Sequence, residues 1–232
     1  MMNRQTLTKR LQTVYDLATS WRNKTDGGRR LIDVGSDHGF VSLEGLVTGD
    51  YDYVIATDIH KNPAEKSREL LVINGYEACS EVFCTDGLDD VPLRSGDVVI
   101  MAGLGGNNMM DILTRVMEVT SPEVLSTVVF CLQPQKTIEE LRVFLGESGF
   151  SIMDEDVVCE RNIYYPMLVT IFDGESHSIS LKEKYYGPVM LSKFEEGNSD
   201  VTSYFAKLDE VLTVRSRGDM EIRDLLSQIG KL

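Results

Sequence analysis

Arg30-Leu31-Ile32-Asp33-Val34-Gly35-Ser36-Asp37-His38-Gly39-Phe40 is a short apolar run that breaks at glycine and resumes as helix-compatible sequence. It predicts a strand, a tight turn and a helix start. Gly35 and Gly39 have access to backbone angles closed to other residues, and the free N–H groups of a new helix supply donors and partial positive charge. Such a turn either cradles a nucleotide-like ligand or simply connects a strand to a helix. The next apolar run, Tyr53-Val54-Ile55-Ala56-Thr57, ends in Asp58, about twenty residues on, where a doubly wound nucleotide site puts its ribose-binding carboxylate. Read alone, Asp58 is a solvated strand-end acid or a helix cap. Two further runs exit through polar, glycine-containing turns: Val82-Phe83 into Cys84-Thr85-Asp86-Gly87, and Val98-Val99-Ile100-Met101 into Ala102-Gly103-Leu104-Gly105-Gly106. Four such exits in succession point to one ligand site, because open α/β sheets bind ligands beyond the carboxyl ends of their strands.

At 232 residues, 42% hydrophobic and 26% charged, the chain is long enough to bury one full core and a small appendage. No apolar run reaches bilayer-spanning length, and the opening Met1-Met2-Asn3-Arg4-Gln5 lacks the apolar core of a signal peptide, so a cytoplasmic protein with no membrane partner is expected. Cys79, Cys84, Cys131 and Cys159 are scattered without a CxxC pair. Cys84 and Cys131 fall in apolar strand runs, so buried free thiols are expected, with no disulfide and no metal site. The net charge of -14 counts against a polyanion partner. The distribution softens that objection, since residues 1–30 hold seven basic side chains (Arg4, Lys9, Arg10, Arg22, Lys24, Arg29, Arg30) against Asp16 and Asp26, a net of +5. This is either a basic face beside the site or an ordinary solvated helix face.

Leu7, Leu11, Val14, Leu17 and Ala18 recur at helical spacing and predict an amphipathic helix over 6–18 capped by Thr6, with Lys9, Arg10 and Gln12 off the apolar stripe. Thr25-Asp26-Gly27-Gly28 is turn chemistry leading into the first strand. From residue 30 strands and helices alternate: strands near 30–34, 53–57, 81–85, 97–101 and 127–132, and helices near 39–48, 63–74, 107–118 and 137–148. That alternation implies right-handed crossovers and a parallel sheet covered on both faces. Ser151 to Val158 and Tyr164 to Phe172, joined by Glu160-Arg161-Asn162, then read as a hairpin. Beyond Asp173-Gly174-Glu175-Ser176 two antiparallel helices are expected, one carrying Tyr204, Leu208, Val211 and Leu212, the other Met220, Ile222, Leu225, Leu226 and Ile229.

These landmarks together resemble the bacterial TrmK family, the S-adenosylmethionine-dependent tRNA (adenine(22)-N1)-methyltransferases. The matching residues are Leu7-Thr8-Lys9-Arg10-Leu11-Gln12-Thr13-Val14, Asp33-Val34-Gly35-Ser36-Asp37-His38, Asp58 with Pro63, Asp86-Gly87-Leu88, Ala102-Gly103-Leu104-Gly105-Gly106, Leu132-Gln133-Pro134, Leu141-Arg142, Tyr164 or Tyr165, and Gly187-Pro188. Leu104 stands where the family carries methionine and Gln135 where it carries asparagine, and the C-terminal region is shorter than usual. The resemblance implies an α/β fold: a Rossmann-like class I methyltransferase sheet, mostly parallel with an antiparallel hairpin at its end, over residues 1–175, and a small helical C-terminal domain over 176–232.

It also implies roles. S-adenosyl-L-methionine is the implied cofactor, held by Asp33, Gly35, Ser36, His38, Asp58, Ile59, Asp86, Gly87, Ala102, Gly103 and Gly105, with Asp58 on the ribose and Asp86 on the adenine amino group. tRNA is the implied partner, contacted by Gly106, Gln133, Arg10, Lys9 and Arg142, with Arg4 a further phosphate candidate. Adenine N1 has a lone pair and no proton, so its methylation needs positioning and a carboxylate for the cationic product ring. Asp37 is the candidate catalytic residue; its alternative role is a cap on the following helix. Gln133 reads a base edge or stabilises its own turn, and Phe40 or Tyr165 stacks on the base or fills the core. Two other readings remain open on the sequence: a methyltransferase of a small-molecule or protein substrate, and a non-catalytic cofactor- or RNA-binding module of the same fold.

Overall fold

The computed structural model describes residues 6–25 and 28–229. Arg4 and the Asp26-Gly27 part of the predicted turn lie outside them. The elements run α1 (Lys9–Lys24), β1 (Arg30–Val34), α2 (Phe40–Val47), β2 (Tyr53–Asp58), α3 (Lys61–Ile73), a 3-10 turn (Glu77–Cys79), β3 (Ser80–Cys84), β4 (Val98–Ala102), α4 (Gly106–Val119), α5 (Pro122–Leu125), β5 (Val129–Gln133), α6 (Ile138–Glu147), β6 (Phe150–Glu160) and β7 (Ile163–Phe172). Four helices follow: α7 (Leu181–Tyr186), α8 (Pro188–Glu195), α9 (Ser199–Arg215) and α10 (Met220–Ile229). The strands form one seven-stranded sheet in the order β3-β2-β1-β4-β5-β7-β6. β1 to β5 pair in parallel, while β7 runs antiparallel to both β5 and β6. The strand order reverses between β1 and β4, which opens the crevice at their carboxyl ends.

Each central strand sends alternate residues to opposite faces. Leu31, Val54, Val98, Ile100 and Cys131 pack under α1, α2 and α3. Ile32, Val99, Met101, Phe130 and Leu132 pack under α4 and α6. Strands buried on both faces therefore read as continuous apolar runs. A third cluster joins Val157 and Tyr164 of the hairpin to Tyr186, Met190, Phe205 and Leu212 of the C-terminal helices.

Three expectations need correction. α1 is capped by Thr8, whose hydroxyl accepts from Leu11 N at 3.3 Å, and it extends to Lys24 because Trp21 continues the apolar stripe and donates to Asp154 at 2.9 Å. The C-terminal region has four helices where two were expected; Gly187, at φ 86°, turns the chain between α7 and α8. Cys84 is exposed, since it faces outward on the edge strand β3, whereas Cys131 is buried as expected.

Candidate active site

A cavity of about 450 Å³ opens at the carboxyl ends of β1 and β4. Its walls include Asp33, the Gly35–His38 turn, Ala102 to Leu104, Thr8, Arg10 and Leu11 of α1, and Gln135. Gly35 and Ser36 donate to Thr57 O at 2.8 and 2.9 Å, which folds the turn back over β2. The turn needs glycine at residue 35: its φ is +72°, and a Cβ there would sit 2.9 Å from Leu104 Cδ2. A larger cavity, about 590 Å³, lies at the opposite ends of the strands, where Arg29 pairs with Asp52 and Arg30 with Asp97. The glycine turns that follow β1, β3 and β4 do not line it.

Two carboxylates lie at the ends of neighbouring strands. Asp58 is buried; its Oδ1 accepts from His60 N at 2.8 Å and its Oδ2 from Asp37 N at 3.2 Å. A carboxylate offers roughly four acceptor sites, so capacity remains for ligand hydroxyls. Asp33 accepts from Ser42 N and Oγ at 3.2 and 2.9 Å. Burial nevertheless pushes its carboxyl up to about 6, with the Ser42 bonds pulling the other way. Asp37 has a left-handed backbone, φ 52°, and a side chain 70% exposed, 3.6 Å from His38 Nε2. It does not cap α2: the cap position belongs to Gly39, and no side chain bonds there. Phe40 stacks on His38 at 5.5 Å and lines the cavity.

Further along the crevice Ile59 is 59% exposed, and Asp86 is exposed with Arg115 Nη2 3.3 Å from its carboxylate. Gly87, at φ +62°, backs onto Ile112, and its carbonyl accepts from Thr57 Oγ1 at 2.8 Å. At the other end Gly103 has φ +84° beneath the Arg10 guanidinium and the Gln135 amide, and Gly105 faces open space. Ala102, Gly103 and Gly105 are all part-exposed.

Several residues expected to meet the substrate are engaged elsewhere. Gln133 is fully buried, accepting from Arg10 Nη1 at 2.5 Å and donating to Pro134 O at 3.0 Å, so it stabilises the turn. Gly106 is buried under the β5–α6 connection, where a Cβ would meet Thr137 Oγ1 at 2.6 Å. Arg142 is fully buried against Glu155, because α6 turns it toward the C-terminal helices. Lys9 is exposed, with its ammonium on Cys159 O at 3.2 Å. The predicted basic face is dispersed: Arg22 donates to Asp50 O, and Arg29 and Arg30 pair with acids at the far ends of the strands. Of the described basic residues in that segment, Arg10 alone lines the cavity. Thr8, Leu11 and Gln135 also belong to the site. The signals for them were the turn after Leu132-Gln133-Pro134 and the cap that starts α1.

Residues 7–168 match the family model described as a methyltransferase domain. A curated relative, the tRNA (adenine(22)-N(1))-methyltransferase of Bacillus subtilis, is 24% identical over 223 residues, covering 90% of this chain and 88% of that protein. Among solved structures, the TrmK m1A22 tRNA methyltransferase of B. subtilis superposes with a TM-score of 0.74 at 21% identity, covering 97% of this chain and 96% of that one. The TrmK of M. capricolum, determined with S-adenosyl-homocysteine, gives 0.76 at 19% identity over the same shares of the two chains. With its glycine turns and strand-end carboxylates inside the matched span, the chain belongs to the methyltransferase-domain family.

Proposed function

We propose that the protein is an S-adenosylmethionine-dependent tRNA methyltransferase acting on N1 of the adenine at position 22. The observation that carries this reading is the crevice itself, where a left-handed glycine turn, the buried carboxylate of Asp33 and a second glycine turn line one 450 Å³ opening, and the buried strand-end carboxylate of Asp58, with spare acceptor sites, holds the N–H of Asp37 in that wall. That combination fits a nucleoside carrying a charged amino-acid tail. The match to the B. subtilis enzyme along nine-tenths of the chain adds the tRNA adenine as substrate.

In this reading Asp58 accepts from the ribose hydroxyls, while Asp86 and the backbone at Gly87 face the adenine ring. Asp33, Gly35, Ser36, His38 and the Ala102–Gly105 turn surround the amino-acid end. Bound there, S-adenosyl-L-methionine supplies a methyl group on a positively charged sulfur. The chain's own work is to hold adenine N1 in line with that methyl and to stabilise the ring as it becomes cationic. Asp37 is exposed, lies at the cavity wall and caps no helix, so its carboxylate is free to face the ring and to take a proton from the exocyclic amine.

The test is methyl transfer from labelled S-adenosylmethionine to unmodified tRNA, followed by digestion to locate the product. Wild-type protein is expected to yield 1-methyladenosine at position 22, and Asp37→Ala to lower kcat roughly 10²-fold or more with cofactor binding retained. Cofactor binding with no label on any tRNA would remove tRNA as the substrate.

A further inference from the structure

Beside the methyl-transfer cavity lies a second one of about 420 Å³, and Gln135 lines both. It is walled by the β5–α6 turn, Pro134 to Glu139, and by the hairpin edge, Ile163 to Pro166. Its charge is unusual for a chain with a net -14. Lys136 is exposed and has no carboxylate partner among the described residues, whereas Glu139, the one acid on the wall, is held by Arg215 at 2.7 Å. The remaining surface is apolar and aromatic. Ile163 is 55% exposed, Tyr164 is braced by Tyr204 with ring centroids 5.8 Å apart, and Tyr165 lies beneath the Arg10 guanidinium. Thr137, a β-branched residue, holds a left-handed conformation at φ 60° in this turn, the kind of strain that collects at ligand-binding turns.

Resting on the tRNA reading above, we propose that this second cavity is a nucleotide subsite, taking the residue adjoining the target adenosine. A base drawn out of its stack into the first cavity brings its neighbour's sugar and phosphate against the adjoining surface. Lys136 supplies the charge for that phosphate, and Ile163, Tyr164 and Tyr165 supply the surface on which its base stacks.

The experiment measures tRNA affinity against salt concentration, and steady-state KM and kcat for tRNA, with the full chain and three variants. Lys136→Ala is expected to raise Kd and KM roughly three- to tenfold and to make the log–log salt slope shallower by about 0.7 to 0.9, the loss of one phosphate contact. Lys136→Arg restores both. Ile163→Asp, exposed and so compatible with folding, is expected to weaken binding roughly tenfold by replacing apolar stacking surface with a carboxylate that repels the polyanion. In all three, kcat and the affinity for S-adenosylmethionine stay within twofold of wild type, roughly the effect of 0.4 kcal/mol. If wild-type protein methylates tRNA and the Lys136→Ala and Ile163→Asp variants match it in KM and salt slope, the subsite is wrong and the function stands. If wild-type protein neither binds nor labels tRNA, the function is wrong and the subsite falls with it.

Discussion

Asp33 lines the cavity at a cost in stability. Its carboxyl titrates at about 6 in the fold against 3.8 as a free group, because burial outweighs the two bonds from Ser42. A folded pKa above the unfolded one means that the native state holds the proton more tightly, so stability falls as pH rises from about 4 to 6 and stays lower above that window. At roughly 1.4 kcal/mol per unit, the effect is on the order of 3 kcal/mol. Asp33→Asn keeps an acceptor for Ser42 and cannot ionise. It is expected to match wild type near pH 4 and to exceed it by up to about 3 kcal/mol at pH 7.5, measured by denaturant melts at both values. Equal pH dependence in the two proteins would contradict the argument. The same substitution is expected to weaken S-adenosylmethionine binding roughly tenfold or more in titration calorimetry, since a buried carboxylate is compensated by a cationic ligand.

At the scale of elements, the tip of the β6–β7 hairpin offers a clean test of backbone strain. Arg161 and Asn162 both take left-handed angles, φ 51° and 63°, the pair that a two-residue hairpin turn requires. Asn takes that region at lower cost than Arg, so Arg161→Asn is expected to stabilise the protein by roughly 0.5 to 1 kcal/mol, read as a rise in denaturant midpoint with an unchanged slope. This hairpin was legible in the sequence for the same reason that β1 to β5 were: local chemistry marks where each strand ends. Glycine closes β1 and β4, and the strands between are continuous apolar runs because both faces are covered. The strand-end carboxylates Asp33 and Asp58 were legible too, since a residue at a strand exit has its position set by its own neighbours in sequence. Gln133 and Arg142 were not. The direction each side chain takes depends on a partner far along the chain: Arg10, 123 residues away for Gln133, and the carbonyls of α7 for Arg142. α7 and α8 were missed because they are short and separated by Gly187-Pro188, which reads as a turn; the Ser180–Glu183 capping box was the available sign.

For the molecule as a whole, the joint between sheet and C-terminal helices is built around one buried ion pair. Arg142 Nε donates to Glu155 Oε1 at 2.8 Å, and both side chains are fully buried. Arg142 Nη1 also reaches the carbonyls of Lys184 and Tyr185, while Glu155 Oε2 accepts from Val189 N and Met190 N at the start of α8. The pair thus satisfies the end of one C-terminal helix and the beginning of the next, from positions on α6 and β6. Taking both charges out of water costs about as much as their attraction returns, so the pair as a unit adds little net stability. Breaking it is different, because the remaining charge is left buried and alone. Arg142→Met is expected to cost roughly 3 to 5 kcal/mol, and Glu155→Leu a similar amount. The double variant leaves backbone groups of α7 and α8 without partners, at about 1 kcal/mol each, but removes both charges. Its loss is therefore expected to fall short of the sum of the single losses by at least about 2 kcal/mol in a denaturant double-mutant cycle. Strict additivity would mean that the two charges do not depend on each other, and that the apolar contacts of Val157 and Tyr164 hold the joint without them.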